Sequence, residues 1–202
     1  MQTEAFVLTQ TGTAKTAFQR QEISISAPKG AEVLIEVEAF GLNYADVMAR
    51  LGLYREAPPL PCVLGYELVG KIIEVGENAP PDLLGKRVLA FTRFGAYAKH
   101  AITLADAVLE IPEHMHAAQA LPFATQGVTA YYMTDILAPI QPNDKVLVHA
   151  AAGGVGSFLI QLARLRGATV IASTGSDHKI PYIESLGAQH VINYKKHDYQ
   201  AQ

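Results

Sequence analysis

The sequence predicts an α/β protein with a β-rich N-terminal region: a small, partly open barrel, followed by the first half of a parallel sheet with crossover helices. Three observations carry this reading. Short apolar runs broken by Gly and Pro fill the chain up to about Pro112. A βαβαβ succession then runs from Lys145 to Asn193. Its first strand and helix are joined by the glycine turn Ala151-Ala152-Gly153-Gly154-Val155-Gly156. Many short strands suit a barrel, and strands alternating with helices suit a parallel sheet. The change of texture divides the chain into residues 1–122 and 123–202.

Val33 to Ala39 alternates polar and apolar at its centre, as a half-buried strand does. Leu68–Val75 and Arg87–Phe91 are further apolar runs, and the stretch between Gly41 and Leu53 reads as one short helix after a turn. Ala57 to Pro61 must be a loop, because successive prolines lack amide donors. From Glu113 to Leu137 the pattern is helical, with interruptions expected near Pro122 and Gly127. Lys145 to His149 is the next strand, and Val146-Leu147-Val148 is a continuous apolar run, as expected when both sheet faces are covered. The helix after the turn should bury Val155, Phe158, Leu159, Leu162 and Ala163 and end near Arg166, with Gly167 as its cap. Strands over Thr169–Ser173 and His190–Asn193, with a short helix between them, complete the succession.

A glycine turn between an apolar strand and a helix is suited to a dinucleotide pyrophosphate. Gly153 and Gly154 let the main chain come close to it, Gly156 lets the helix pack on the strand, and the helix start offers amides and a partial positive charge. The first glycine of the general fingerprint is replaced by Ala151. A cofactor lacking a 2′-phosphate is usually held by an acid about 20 residues past the turn. Here that region reads Ile171 to Ser176 without an acid; Asp177 comes later, and Lys179 lies close to it. NADPH is therefore favoured over NADH.

Half of the 202 residues are hydrophobic and 17% are charged, which supports a buried core. Sixteen basic against nineteen acidic residues leave a net charge of −3 and no basic block for nucleic acid. There is no signal-peptide layout and no apolar run long enough to span a bilayer, so a soluble cytoplasmic protein is expected. One cysteine, Cys62, rules out an internal disulfide and a four-thiolate zinc site, and it has no activating neighbour in sequence. His114 and His116 would point to different faces, and His149 would be packed at the end of a buried strand, so no metal site is expected. What remains is chemistry supplied by the dinucleotide.

The stretches Gly41 to Tyr54, Leu64-Gly65-Tyr66-Glu67-Leu68-Val69-Gly70, the glycine turn and Val191-Ile192-Asn193-Tyr194 together resemble the medium-chain dehydrogenase/reductase superfamily. Within it they are most similar to the zinc-free quinone oxidoreductase (zeta-crystallin-like) group and its vesicle-amine-transport-protein-like branch. The resemblance implies a GroES-like barrel followed by a Rossmann domain. It implies that Asn43 and Tyr66 stand where zinc-dependent relatives carry cysteine and histidine ligands, and that the structural zinc lobe is missing. It places Asn43 and Thr129 near the nicotinamide end and Tyr54 in the substrate cleft, where it would orient a carbonyl. Gly153, Gly154 and Val155 would hold the pyrophosphate, while Gly175, Lys179 and Tyr194 would surround the 2′-phosphate. Met48 stands where zeta-crystallin relatives commonly have tyrosine, and Pro181 would delay the second crossover helix, leaving Lys179 on the loop before it.

Family members continue for more than a hundred further residues, including the region through which they dimerise. On the resemblance, this chain holds the first half of the Rossmann sheet, so the strand at Lys145 to His149 would be an open edge. The implied function is NADPH-dependent reduction of a quinone or conjugated enone. The alternatives are an enoyl-thioester substrate, or a non-catalytic fragment that binds a partner across the open edge.

Overall fold

A computed structural model describes residues 1–196. The chain divides into two compact units, Met1–Thr125 and Gln126–Gln202.

The N-terminal unit opens with β1 (Gln2–Leu8), a one-turn helix α1 (Ala14–Ala17), β2 (Phe18–Ser24) and β3 (Glu32–Phe40). Helix α2 (Tyr44–Arg50) falls in the stretch expected to hold one helix. Then come β4 (Cys62–Val63), β5 (Glu67–Val75), β6 (Arg87–Phe91), β7 (His100–Leu104), β8 (Val108–Glu110) and α3 (Ala117–Ala120). The strands pair antiparallel in two sheets, β2-β1-β4 and β7-β3-β5-β6-β8, and do not close into one barrel. Val33, Ile35, Leu68, Ile72 and Val88 from the central strands are sealed in its main core. The register of β3 against β5 shifts twice, bending the sheet around these side chains.

The C-terminal unit is built differently. Helix α4 (Thr125–Tyr131) passes into a π-helical turn over Tyr132–Leu137. Then follow β9 (Lys145–Val148), α5 (Gly154–Leu165), β10 (Thr169–Thr174), a 3-10 turn (Asp177–Lys179), α6 (Ile180–Ser185) and β11 (His190–Asn193). The three strands are parallel, in the order β11-β10-β9.

Several expectations are corrected here. Gly127 lies buried inside α4 and does not interrupt it; Pro122 does, in a 3-10 turn between α3 and α4. The widening after α4 has a local cause: the Thr134 hydroxyl donates to the carbonyls of Ala130 and Tyr131, competing with the helix ladder. The buried stripe of α5 is Gly156, Ile160 and Ala163, whereas Val155, Phe158 and Leu162 are only partly buried. Gly156 sets that rotation, because a Cβ there would stand 2.5 Å from the Ala150 carbonyl oxygen. Nor is β9 covered on both faces: Val148 is sealed against α5, while Leu147 is 49% exposed. Among the described residues β9 pairs only with β10, so it forms an edge of the sheet.

Candidate active site

The glycine turn leaves the carboxyl end of β9 through Ala150, whose φ of +50° is a left-handed conformation that a side chain resists. The Ala150 carbonyl accepts from Gly153 N–H at 2.8 Å, and Ala151 N–H is tied to the Ser173 carbonyl at 3.1 Å. The turn is thereby fixed to β9 and β10 before α5 begins. Gly153 and Gly154 are exposed, Val155 is partly buried and Gly156 is sealed. The Gln126 side chain lies over Gly154, where a Cβ would come within 2.3 Å of its Oε1. The first amides of α5, a twelve-residue helix, have no carbonyl within the helix to bond and point past the turn.

At the carboxyl ends of β9 and β10 lies a cleft of about 440 Å³, lined in part by Gly153, Thr174, Gly175, Lys179 and Tyr194. Four of the residues singled out from sequence thus meet in one place, at the end of a parallel sheet where such ligands bind. The Tyr194 hydroxyl reaches over Gly175: a Cβ there would stand 2.6 Å from its oxygen. Lys179 is exposed on the 3-10 turn before α6, and Pro181 stands in the first turn of that helix. Two features here were not singled out from sequence. Lys195 also packs beside Gly175, and Asp177, the nearest acid, is bonded by Asn193 Nδ2 and ion-paired with Lys196. The run Tyr194-Lys195-Lys196 directly after a strand end was the available signal.

His149, expected to be packed, is instead exposed at the end of β9, with its Nδ1 3.0 Å from the Ser173 hydroxyl. The reason is strand alternation: Val148 faces α5, so its neighbours Leu147 and His149 face the other way.

The N-terminal unit carries Asn43 and Tyr54. Asn43 is the residue before α2 and is 9% exposed. Its main-chain N–H donates to Asp46 Oδ2 at 2.9 Å, and its Nδ2 donates to Glu67 Oε1 at 3.1 Å. Asp46 also accepts from Gly65 N–H and faces the Tyr97 hydroxyl, which makes no closer hydrogen bond. Burial pushes the Asp46 carboxyl above the usual range, against these hydrogen bonds. Tyr54 is half-buried in the loop after α2, and its ring meets that of Tyr66 edge to face at 6.5 Å. Tyr66 in turn stacks at 5.0 Å on Phe94. Burial, then the neighbouring Tyr54 hydroxyl, push the Tyr66 hydroxyl far above its ordinary value. Glu67 is therefore bonded to Asn43, and its neighbour Tyr66 packs its ring against Tyr54.

Thr129 lies exposed on α4 in the other unit. Cys62 is half-buried in β4, and burial pushes its thiol up, away from reactivity. Among the described residues no cluster of three or more His, Cys, Asp or Glu side chains is arranged to hold a metal ion, and no helix is long and apolar enough to cross a membrane.

Residues 29–113 match the alcohol dehydrogenase GroES-like domain, and residues 154–202 match the domain called zinc-binding dehydrogenase. The synaptic vesicle membrane protein VAT-1 homolog of Homo sapiens is 35% identical over 188 residues, 93% of this chain and 48% of the relative. The quinone oxidoreductase of Coxiella burnetii superimposes with a TM-score of 0.92 at 30% identity, covering 100% of this chain and 65% of that one. The quinone oxidoreductase of Escherichia coli, solved in complex with NADPH, superimposes with a TM-score of 0.89 at 32% identity, covering 96% of this chain and 60% of that one. The chain spans about half the length of the curated relatives it matches. With a GroES-like unit followed by a parallel dinucleotide-type sheet, it belongs to the medium-chain dehydrogenase/reductase superfamily, alongside quinone oxidoreductases and VAT-1 homologues.

Proposed function

We propose that this chain is the GroES-like and dinucleotide-binding portion of an NADPH-dependent, zinc-independent oxidoreductase that reduces a quinone or conjugated enone. The observation that carries this reading is the cleft joining Gly153, Gly175, Lys179 and Tyr194 at the end of the parallel sheet. The complex of the Escherichia coli relative with NADPH supports the same cofactor here. In this reading residues 1–122 serve the substrate and 123–202 the dinucleotide.

The residues present fit that cofactor. Main-chain amides at Gly153, Gly154, Val155 and Gly156 hold the pyrophosphate at the start of α5. Lys179 and the Tyr194 hydroxyl take the 2′-phosphate over Gly175, and the pairing of Asp177 with Lys196 keeps its carboxylate from repelling that phosphate. Asn43 and Thr129 serve the nicotinamide end, where bound NADPH supplies the hydride. Tyr54 orients the substrate carbonyl. The Tyr66 hydroxyl, with its pKa driven far up, donates a hydrogen bond but keeps its proton at neutral pH. Solvent then supplies the proton that completes reduction, and catalysis rests on placement. Neither Asn43 nor Tyr66 offers the thiolate or imidazole that zinc favours.

Lys179→Ala tests the cofactor assignment. NADPH affinity should fall about tenfold, the worth of one charge-assisted phosphate contact, while NADH affinity stays put. Full retention of the NADPH preference would remove Lys179 from the site.

A second reading, a partner-binding domain without catalysis, is favoured by the open edge of β9 and half-exposed Leu147. It gains if the protein binds neither nucleotide and Leu147→Lys abolishes self-association or capture of a partner.

A further inference from the structure

The 3-10 turn Asp177–Lys179 lies just past the end of β10, the region where sites for a dinucleotide without a 2′-phosphate carry an acid that bonds the adenosine ribose. This turn carries both an acid and a base, and their surroundings differ. Among the described residues Lys179 lines the cleft and Asp177 does not. The Asp177 carboxylate is taken up by the chain at the end of β11: Oδ1 accepts from Asn193 Nδ2, and Oδ2 is ion-paired with Lys196. The two ties are unequal. The Lys196 and Asp177 side chains are 62% and 51% exposed, and an ion pair so open to solvent holds a side chain weakly. Asn193 is 4% exposed, and both ends of its carboxamide are engaged, because Oδ1 accepts from Lys195 N–H at 3.0 Å. A carboxylate needs the amine end and a backbone N–H needs the carbonyl end, so these partners fix one orientation of the amide.

We propose that Asn193 is a positioning residue for cofactor choice: it holds the Asp177 carboxylate at the β11 side of the turn and leaves the cleft to Lys179 and Tyr194. This rests on the reading that the cleft takes NADPH. Lys196 offsets the charge of Asp177, and the buried amide fixes where that charge stands. Anchored there, the carboxylate neither repels a 2′-phosphate nor accepts from a ribose 2′-hydroxyl. Released, it shares its turn with Lys179 and can do both, so the cleft would favour the cofactor that lacks the phosphate. Through Lys195 N–H the same amide also pins the segment that carries the Tyr194 hydroxyl over Gly175. One buried side chain thus keeps the acid out of the cleft and the phosphate-binding hydroxyl in it.

Titration of variants of the full chain with NADPH and with NADH, followed by nicotinamide fluorescence, tests this. Asn193→Ala should weaken NADPH binding and strengthen NADH binding, lowering the ratio of the two affinities about tenfold. Adding Asp177→Ala should restore most of the ratio, because no carboxylate is left to enter the cleft. Asn193→Asp keeps the side chain's shape and its acceptor for Lys195 N–H but repels Asp177. At about pH 8, where carboxylates are ionised, it should shift the ratio the same way, and it serves if Asn193→Ala does not fold. Lys196→Ala, which breaks only the exposed pair, should shift the ratio less than Asn193→Ala does. A merely structural Asn193 would weaken both nucleotides together, with the ratio unchanged and no rescue by Asp177→Ala. That result overturns the proposal, as does a Lys196→Ala shift as large as that of Asn193→Ala. If the wild type binds neither nucleotide, or binds both equally, the reading beneath fails and takes the proposal with it. If the wild type prefers NADPH and that preference survives in the Asn193 variants, the proposal alone fails.

Discussion

The two units hold their candidate ligand-binding groups by opposite means. In the N-terminal unit, side chains hold side chains: buried Asp46 and Glu67 bond Asn43, and the Tyr66 ring packs edge to face on Tyr54. In the C-terminal unit the main chain does the holding, through the turn at Ala150 to Gly156, and the flanking side chains are exposed. Their cores differ in the same sense. The five-stranded sheet seals Leu68 completely, whereas the three-stranded parallel sheet is covered by α5 and α6 on one face and leaves Leu147 half-exposed on the other. Side-chain networks depend on a closed core to exclude water; a glycine turn needs only a strand and a helix.

The largest expected effect contrasts the two leucines. Leu68→Ala should cost about 3–4 kcal/mol in chemical denaturation, the usual loss for a sealed leucine, while Leu147→Ala costs about 1 kcal/mol or less. Equal costs would show that β9 is as well covered as β5. Next is Gly156→Ala, whose Cβ would press on the Ala150 carbonyl. It should destabilise by about 2 kcal/mol and remove nucleotide binding, because the turn must open to admit the methyl group.

Acid should move two carboxylates, one in each unit, in opposite directions. Burial raises the Asp46 pKa above 3.8, so the folded unit holds a proton that the unfolded chain has lost. Asp46 thus contributes stability as pH falls through the raised value towards 3.8, and Asp46→Asn removes that contribution. In the C-terminal unit, Arg166 beside Asp135 holds its carboxyl below 3.8. That stability is present above 3.8 and is lost as pH falls through the lowered value. Melting curves of wild type, Asp46→Asn and Asp135→Asn across the acid range would resolve the two slopes. The smallest effect is expected from Ala150→Gly, which relieves a left-handed alanine and should stabilise by about 0.5–1 kcal/mol once the glycine's extra chain entropy is offset.

How much was legible in the sequence follows the same contrast. The βαβαβ order, the glycine turn and the strand ends were readable because periodicity and glycine spacing are local. The convergence of residues 153, 175, 179 and 194 came from the family resemblance, and the structure lines one cleft with all four. The inward stripe of α5 was read in part: Ala163 is sealed and Leu159 packs on the core, but Gly156 and Ile160 were missed, because helical spacing alone does not say which of two neighbouring stripes faces the sheet, and contact at Gly156 decides that. Glu67 stood inside a quoted motif without a role. Its meaning depends on donors 24 and 58 residues away, which no local pattern reports. Lys195 was passed over because a lysine after a strand reads as solvated until the chain brings it back over Gly175.

The central claim is that the cleft at the glycine turn takes NADPH. Titration of the purified chain with NADPH and with NADH, followed by nicotinamide fluorescence, tests it most directly. Saturable binding of NADPH, at least tenfold tighter than NADH, is the predicted result, in line with a charged contact to the 2′-phosphate. Binding of neither nucleotide, or equal binding of both, would contradict it.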